Sequence, residues 1–211
     1  MIDTLPPPQR LALSYASARS RGATLALLAL DARLAALLRA RREPLANQLR
    51  LAWWRDVFEK PQREWPQGEP LLDALRTWRD PAALASLPTA WEALLAEEFT
   101  PQLVAEFADG RAQAFAALAR ELEAESVGQA AEAGRIWALA DLAANLSGSA
   151  ERALVVELGC SCGRPPRLPR SLRPLAVLAG LGAAALARGG GDLLAGPSRM
   201  LLALRIGLTG R

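Results

Sequence analysis

Apolar residues recur along this chain at helical spacing. Leu27, Leu30, Leu34 and Leu37 step by three and four, the interval that places side chains on one face of an α-helix. Leu25, Leu28, Ala32 and Ala35 back that face, so Arg21 to about Arg42 is apolar over most of its circumference. Such a segment is predicted to run through the middle of a bundle. Pro6 to Pro8 open an earlier helix, expected to reach about Ser20, and Pro44 restarts the chain for a third helix over Leu45 to Lys60. Asp80-Pro81 and Thr100-Pro101 each pair an N-cap residue with a first-turn proline. They predict a short helix and a long one ending near Glu125. Ser126-x-x-Gln129 has the form of a capping box and opens a helix to about Leu146. Further helices are expected over roughly 149–158, 171–187 and 198–208, with 61–70 and 159–170 as loops and the RGGGD run as a turn. No fixed-period repeat is visible, and no linker is long enough to separate one domain from another. The pattern predicts an all-α, single-domain bundle of about eight helices over residues 1–211.

Composition agrees and adds an exclusion. The chain holds 44 Ala and 40 Leu against six Val, three Ile and six Thr, a helix former's mixture that leaves little for strand interiors. It has no histidine, which removes Ser-His and Cys-His nucleophile systems and histidine metal sites. Any chemistry must rest on carboxylates, arginines and a few hydroxyls.

Charge is unevenly placed. The net charge is +3, too small to imply a nucleic-acid partner, and none is expected. Yet residues 160–211 hold eight Arg against the single acid Asp192. Two readings are open for this stretch: a surface for an anionic lipid bilayer or a diphosphate, or a solvated tail. Cys160 and Cys162 stand too close for an unstrained disulfide and are expected as reduced thiols. MIDTLPPPQR lacks a basic-then-apolar leader pattern. The longest apolar run, Leu175 to Ala187, has 13 residues, against about 20 for a bilayer span. The expectation is a cytoplasmic chain, soluble or peripheral to an inner membrane.

The stretch from Leu28 to Lys60 carries the candidate chemistry. On its second half Arg50, Trp54 and Phe58 share one line, and Leu49, Trp53 and Val57 the next. Adjacent tryptophans on a helix diverge by about 100°, so one can enter a core while the other covers a neighbouring helix. Arg50 could lie over Trp54 as a cation–π pair, making the segment an interhelical wedge with a buried or semi-buried arginine.

The same stretch resembles the squalene/phytoene synthase family. The residues that carry the resemblance are Leu28 to Ala35, the Glu43-Pro44 turn, and Arg50 to Asp56, which reads RLAWWRD. Weaker similarity continues through Gly134-x-x-Trp137-Ala138-Leu139 and through Leu168 to Leu175, so that it spans about Gln9 to Leu208. The resemblance implies the all-α isoprenoid synthase fold. It also implies a cavity in which two prenyl diphosphates are joined head to head. Magnesium, a hard ion that takes carboxylate and phosphate oxygens, is held there by Asp-rich motifs on two facing helices.

Matched residue by residue, this chain departs from that pattern. The first motif's aspartates fall on Ala35, Ala36 and Arg39, with Asp31 one turn earlier. The second motif falls on Asp141, Ala144, Asn145 and Ser149, of which only Asp141 is acidic. Elsewhere, Asp56/Glu59, Glu121/Glu123/Glu125 and Glu92/Glu97/Glu98 sit on Arg-studded helices and read as solvated faces. No magnesium or other cofactor is therefore expected unless the chain is an active prenyltransferase. The resemblance implies three alternatives. The first is a non-catalytic protein that binds an isoprenoid or lipid, or assists assembly of a respiratory complex by binding one of its subunits. A branch of the family without the aspartates includes a mitochondrial assembly factor of complex I. The second is an active head-to-head prenyltransferase with a rearranged metal site. The third is a ligand-free helical interaction module, its interior filled by Leu27, Leu34, Trp53 and Trp137. For an anionic ligand the candidates are Arg50 and Arg55, with Tyr15, Asp31, Asp141 and Asn145 as polar lining. Tyr15, the only tyrosine, reads first as a core residue with its hydroxyl satisfied, and Asp31 and Asp141 equally as partners of buried arginines.

Overall fold

The computed structural model describes residues 1–39 and 44–211, the Pro44 side chain excepted. The helix end expected near Arg42 and the Glu43 half of the Glu43-Pro44 turn lie outside them. Among the described residues there are ten α-helices and no strand: α1 Pro7–Leu13, α2 Ala18–Arg39, α3 Pro44–Glu59, α4 Pro70–Leu75, α5 Ser86–Ala93, α6 Pro101–Glu121, α7 Val127–Asn145, α8 Ser149–Ser161, α9 Arg173–Leu186 and α10 Pro197–Thr209. The fold class is all-α, and one continuous apolar cluster runs through these helices.

α2 is the buried axis that the sequence pattern predicts. Its residues from Ala26 through Ala32 are all buried, as are Leu34 and Ala35. α6 and α7 lie along each other, and small residues set how closely. A Cβ on Gly134 of α7 would stand 2.9 Å from the Phe115 ring of α6. One on Gly182 of α9 would stand 2.9 Å from the Ala140 Cβ of α7. The alanine excess is thus a packing device: helices with short side chains approach until their backbones nearly touch.

Several boundaries differ from expectation, each for a local reason. The first helix stops at Leu13 instead of Ser20. The Ser17 hydroxyl accepts from the Ser20 N–H at 3.3 Å, capping α2 and making a new start more favourable than continuation. α6 ends at Glu121, short of Glu125, because Glu123 turns into the left-handed region (φ 53°). The Ala124 N–H then closes on the Ala119 carbonyl at 2.9 Å, the Schellman ending in which glycine is usual. Arg79 and Arg19 hold the Glu123 carboxylate at 2.6 and 2.8 Å; hydrogen bonding by Arg79, then its charge, keeps that carboxyl below the usual range.

Thr100 caps α6 as predicted, its side chain accepting from the Leu103 N–H at 3.2 Å. Ser126 occupies the N-cap of α7 but its hydroxyl makes no capping bond, so the capping-box expectation fails there. After Asp80, residues Pro81–Ala85 form a 3₁₀ turn that leads into α5. The expected loop at 61–70 is an ordered corner that contains a 3₁₀ turn and ends in α4, an element the pattern did not predict. Arg76 pins it by donating to the Trp65 and Pro66 carbonyls at 2.8 and 2.9 Å and to that of Gln62. α8 runs on to Ser161, past the expected 158.

Candidate functional site

α6 carries Phe107, Arg111 and Phe115 at intervals of four, and all three are buried. An apolar stripe with one cation in it leaves that cation without water, so opposite charge must reach it from neighbouring helices. Two carboxylates do so. Arg111 Nη2 donates to Asp31 Oδ2 of α2 at 2.5 Å, and Nη1 donates to Asp141 Oδ2 of α7 at 3.0 Å. Nη1 also lies 3.4 Å from the Ala138 carbonyl oxygen. Trp91 of α5 donates its indole N–H to Asp31 Oδ1 at 2.9 Å. The Arg111 guanidinium carbon lies 5.1 Å from the Trp91 ring, 5.3 Å from Phe107 and 5.7 Å from Trp137, within cation–π range. Four helices therefore meet on one guanidinium.

Two carboxylates against one cation leave an excess negative charge. Its effect falls on Asp141. Burial pushes that carboxyl above the usual carboxylate range, the Asp31 charge adds to it, and Arg111 and Arg39 offset the rise incompletely. For Arg111 burial is again the largest influence and opposes its charge, yet the two carboxylates outweigh it and raise the guanidinium above its ordinary value. Asn145, one turn after Asp141, donates to the Asp141 carbonyl at 2.7 Å and lies 3.4 Å from its Oδ1.

Three of the residues singled out from the sequence thus come together: Asp31, Asp141 and Asn145. The other three do not. Tyr15 is partly buried, its ring close against Gly207 of α10. Arg50 is exposed, not semi-buried, and donates to Asn47 at 3.3 Å. Arg55 is held by Glu92 of α5 at 2.6 Å and by Asp56 at 3.5 Å. The two tryptophans divide: Trp54 is buried and stacks on Phe58 (centroids 6.1 Å apart), while Trp53 is 41% exposed and, against the expectation of the ligand-free reading, does not help fill the interior. Of the alternative acidic clusters, Glu92 is engaged by Arg55, Glu121 by the Arg79 N–H at 2.9 Å, and Glu123 by Arg79 and Arg19, while Glu97, expected on a solvated helix face, lies past the end of α5 and lines a groove with Asp141.

Sequence reasoning missed Arg111 and Trp91. The signal for Arg111 was present: it is the one charged residue in register with Phe107 and Phe115 on an otherwise apolar face. Trp91 offered none, since an indole shows no preference for a particular carboxylate until the fold brings one to it.

Asp141 and Asn145 also border a groove of about 440 Å³ between α2, the end of α5 and the start of α8. Leu38, Leu94, Phe99 and Leu142 give it an apolar floor, and Arg39, Glu97 and Glu151 stand at its edges. Its carboxylates outnumber its cations among the described residues, the reverse of a diphosphate cradle.

The residues do not fit magnesium. The ion requires several oxygens in near-octahedral array, whereas both Asp31 and Asp141 direct an oxygen at Arg111. Among the described residues no group of three or more acidic or thiol side chains is placed to hold a metal. No protein-family model, no curated protein and no solved structure matches the chain.

Proposed function

We propose that this chain is a catalytically silent protein of the squalene/phytoene synthase type, working by binding and not by joining prenyl diphosphates. One observation carries the reading: the Arg111 guanidinium stands between Asp31 of α2 and Asp141 of α7. On the resemblance, these are the helices whose carboxylates would share magnesium with a diphosphate. A buried cation fixed between them takes one oxygen of each carboxylate, the position a shared metal would need. The apolar groove beside Asp141 suits a neutral isoprenoid or lipid tail better than a diphosphate. The respiratory-complex role implied by the resemblance would use the same surface to hold a subunit during assembly.

The test is incubation of the purified protein with farnesyl or geranylgeranyl diphosphate and magnesium. The expected outcome is neither a squalene- or phytoene-like product nor release of diphosphate above the rate without protein. Magnesium-dependent release would overturn the reading in favour of the prenyltransferase. The ligand-free module draws support from Leu27, Leu34 and Trp137, which are fully buried. Mass spectrometry of organic extracts separates the two binding readings, since a ligand-binding protein carries lipid through purification and a closed module does not.

A further inference from the structure

α10 is apolar on both sides. Its inner face, with Arg199, Ala203 and Ile206, is buried. Arg199 donates to the Ala184 carbonyl of α9, and Gly207 lets the Tyr15 ring of α1 lie against the backbone. An ordinary surface helix would then turn polar residues outward. Here the outward positions are Met200, Leu201, Leu204 and Leu208, which are 50, 65, 46 and 71% exposed. At helical spacing they form one stripe over two turns.

Charge decides what covers the stripe. α10 contains no Asp or Glu. Arg205 flanks the stripe, Arg211 ends the chain, and Arg173 reaches from α9 over Gly210. Arg188 lies near enough to Arg199 to join burial in lowering its pKa. The nearest acid in sequence, Asp192, turns its carboxylate back to the Leu194 N–H at 2.9 Å. Neither α10 nor α9 contains an acid, so a symmetric pairing of two copies through these helices would bring their arginines together. An anionic bilayer supplies both missing components: an acyl boundary for the leucines and head-group charge for the arginines.

We infer that α10 is an interfacial docking helix that lies on an anionic lipid surface with Leu201, Leu204 and Leu208 buried among the head groups. This goes beyond the silent site and stands apart from it, because a protein that turned over prenyl diphosphates would keep the same face. No helix among the described residues is long and apolar enough to cross a membrane, so the docking is in-plane.

The test is vesicle flotation, with phosphatidylcholine alone and with phosphatidylcholine mixed with phosphatidylglycerol. The full chain is expected to float with the anionic vesicles only, and less as salt is raised. Arg205→Gln should weaken binding about fivefold, in keeping with one basic residue at the surface. L201S/L204S/L208S should stay at the bottom of the gradient while keeping the wild-type helical circular dichroism at the flotation temperature, since these side chains are largely exposed. Three results would overturn the inference: no flotation with either vesicle, flotation of the triple variant like wild type, or a wild-type dimer that the triple variant dissociates. The last would make the face a contact between copies.

Discussion

Asp31 and Asp141 are stray acids in the sequence, one per helix, and their meaning comes from a third residue 30 positions before the second. Removing Arg111 leaves two buried carboxylates with no cation, so Arg111→Met is expected to destabilise by about 3–5 kcal/mol, read from urea denaturation. The two aspartates differ. Both oxygens of Asp31 accept a donor, from Trp91 and from Arg111, and an amide there would turn its NH₂ on one of them; Asp31→Asn should cost about 1–3 kcal/mol. Asp141 is the group whose ionisation burial opposes. Its folded-state pKa is raised, so the stability it contributes is fully present below the unfolded value and fades as pH climbs through the folded one. Asp141→Asn has no proton to lose. Measured against wild type, it should gain ground as pH rises above the ordinary carboxylate value of about 4, and a difference independent of pH would contradict the assignment. Asp31, Asp141 and Asn145 are legible in the sequence as polar residues near one place. The guanidinium between them is not, because an arginine in an Arg-rich chain is read as solvent-facing until its register with Phe107 and Phe115 is weighed.

At the scale of elements, caps and close contacts make separable predictions. Thr100 bonds the Leu103 N–H while the Ser126 hydroxyl caps nothing in α7. Thr100→Ala should therefore cost about 1 kcal/mol, and Ser126→Ala only a few tenths; thermal melts of the two variants distinguish them. A Cβ on Gly110 would lie 2.6 Å from the Ala90 Cβ and 2.7 Å from the Ser86 carbonyl oxygen. α5 must then move off α6, and Gly110→Ala is expected to lose about 1–3 kcal/mol. The long helices are readable because their apolar period and proline starts agree. The short ones are not. α1 ends early through a serine hydroxyl at the next helix start, and α4 is fixed by tertiary packing of Leu71, Leu72 and Leu75 in place of any repeated period. The ending at Glu123 defies sequence reading because a non-glycine residue takes the left-handed position.

Over the whole molecule, the distribution of charge and apolar surface sets the interior and the exterior against each other. Inside, four helices converge on one guanidinium and two carboxylates. Outside, the Arg-rich C-terminal stretch places its exposed leucines on α10, and the described edge of the groove beside Asp141 carries Glu97 and Glu151 against Arg39. The basic C-terminal bias is legible from residue counts, whereas the acidic character of the groove arises only when Glu97, Asp141 and Glu151 come from three separate segments of the chain. The groove supports the proposed binding reading over one that ionises diphosphates, while the α10 face is compatible with either. The most direct measurement is the melting temperature of the wild-type protein with and without saturating magnesium and inorganic diphosphate together. A ligand that binds the folded state raises that temperature. If Arg111 already occupies the place between Asp31 and Asp141, the expected result is no shift. A rise that grows with magnesium concentration and disappears in the D31N/D141N variant would contradict the silent site.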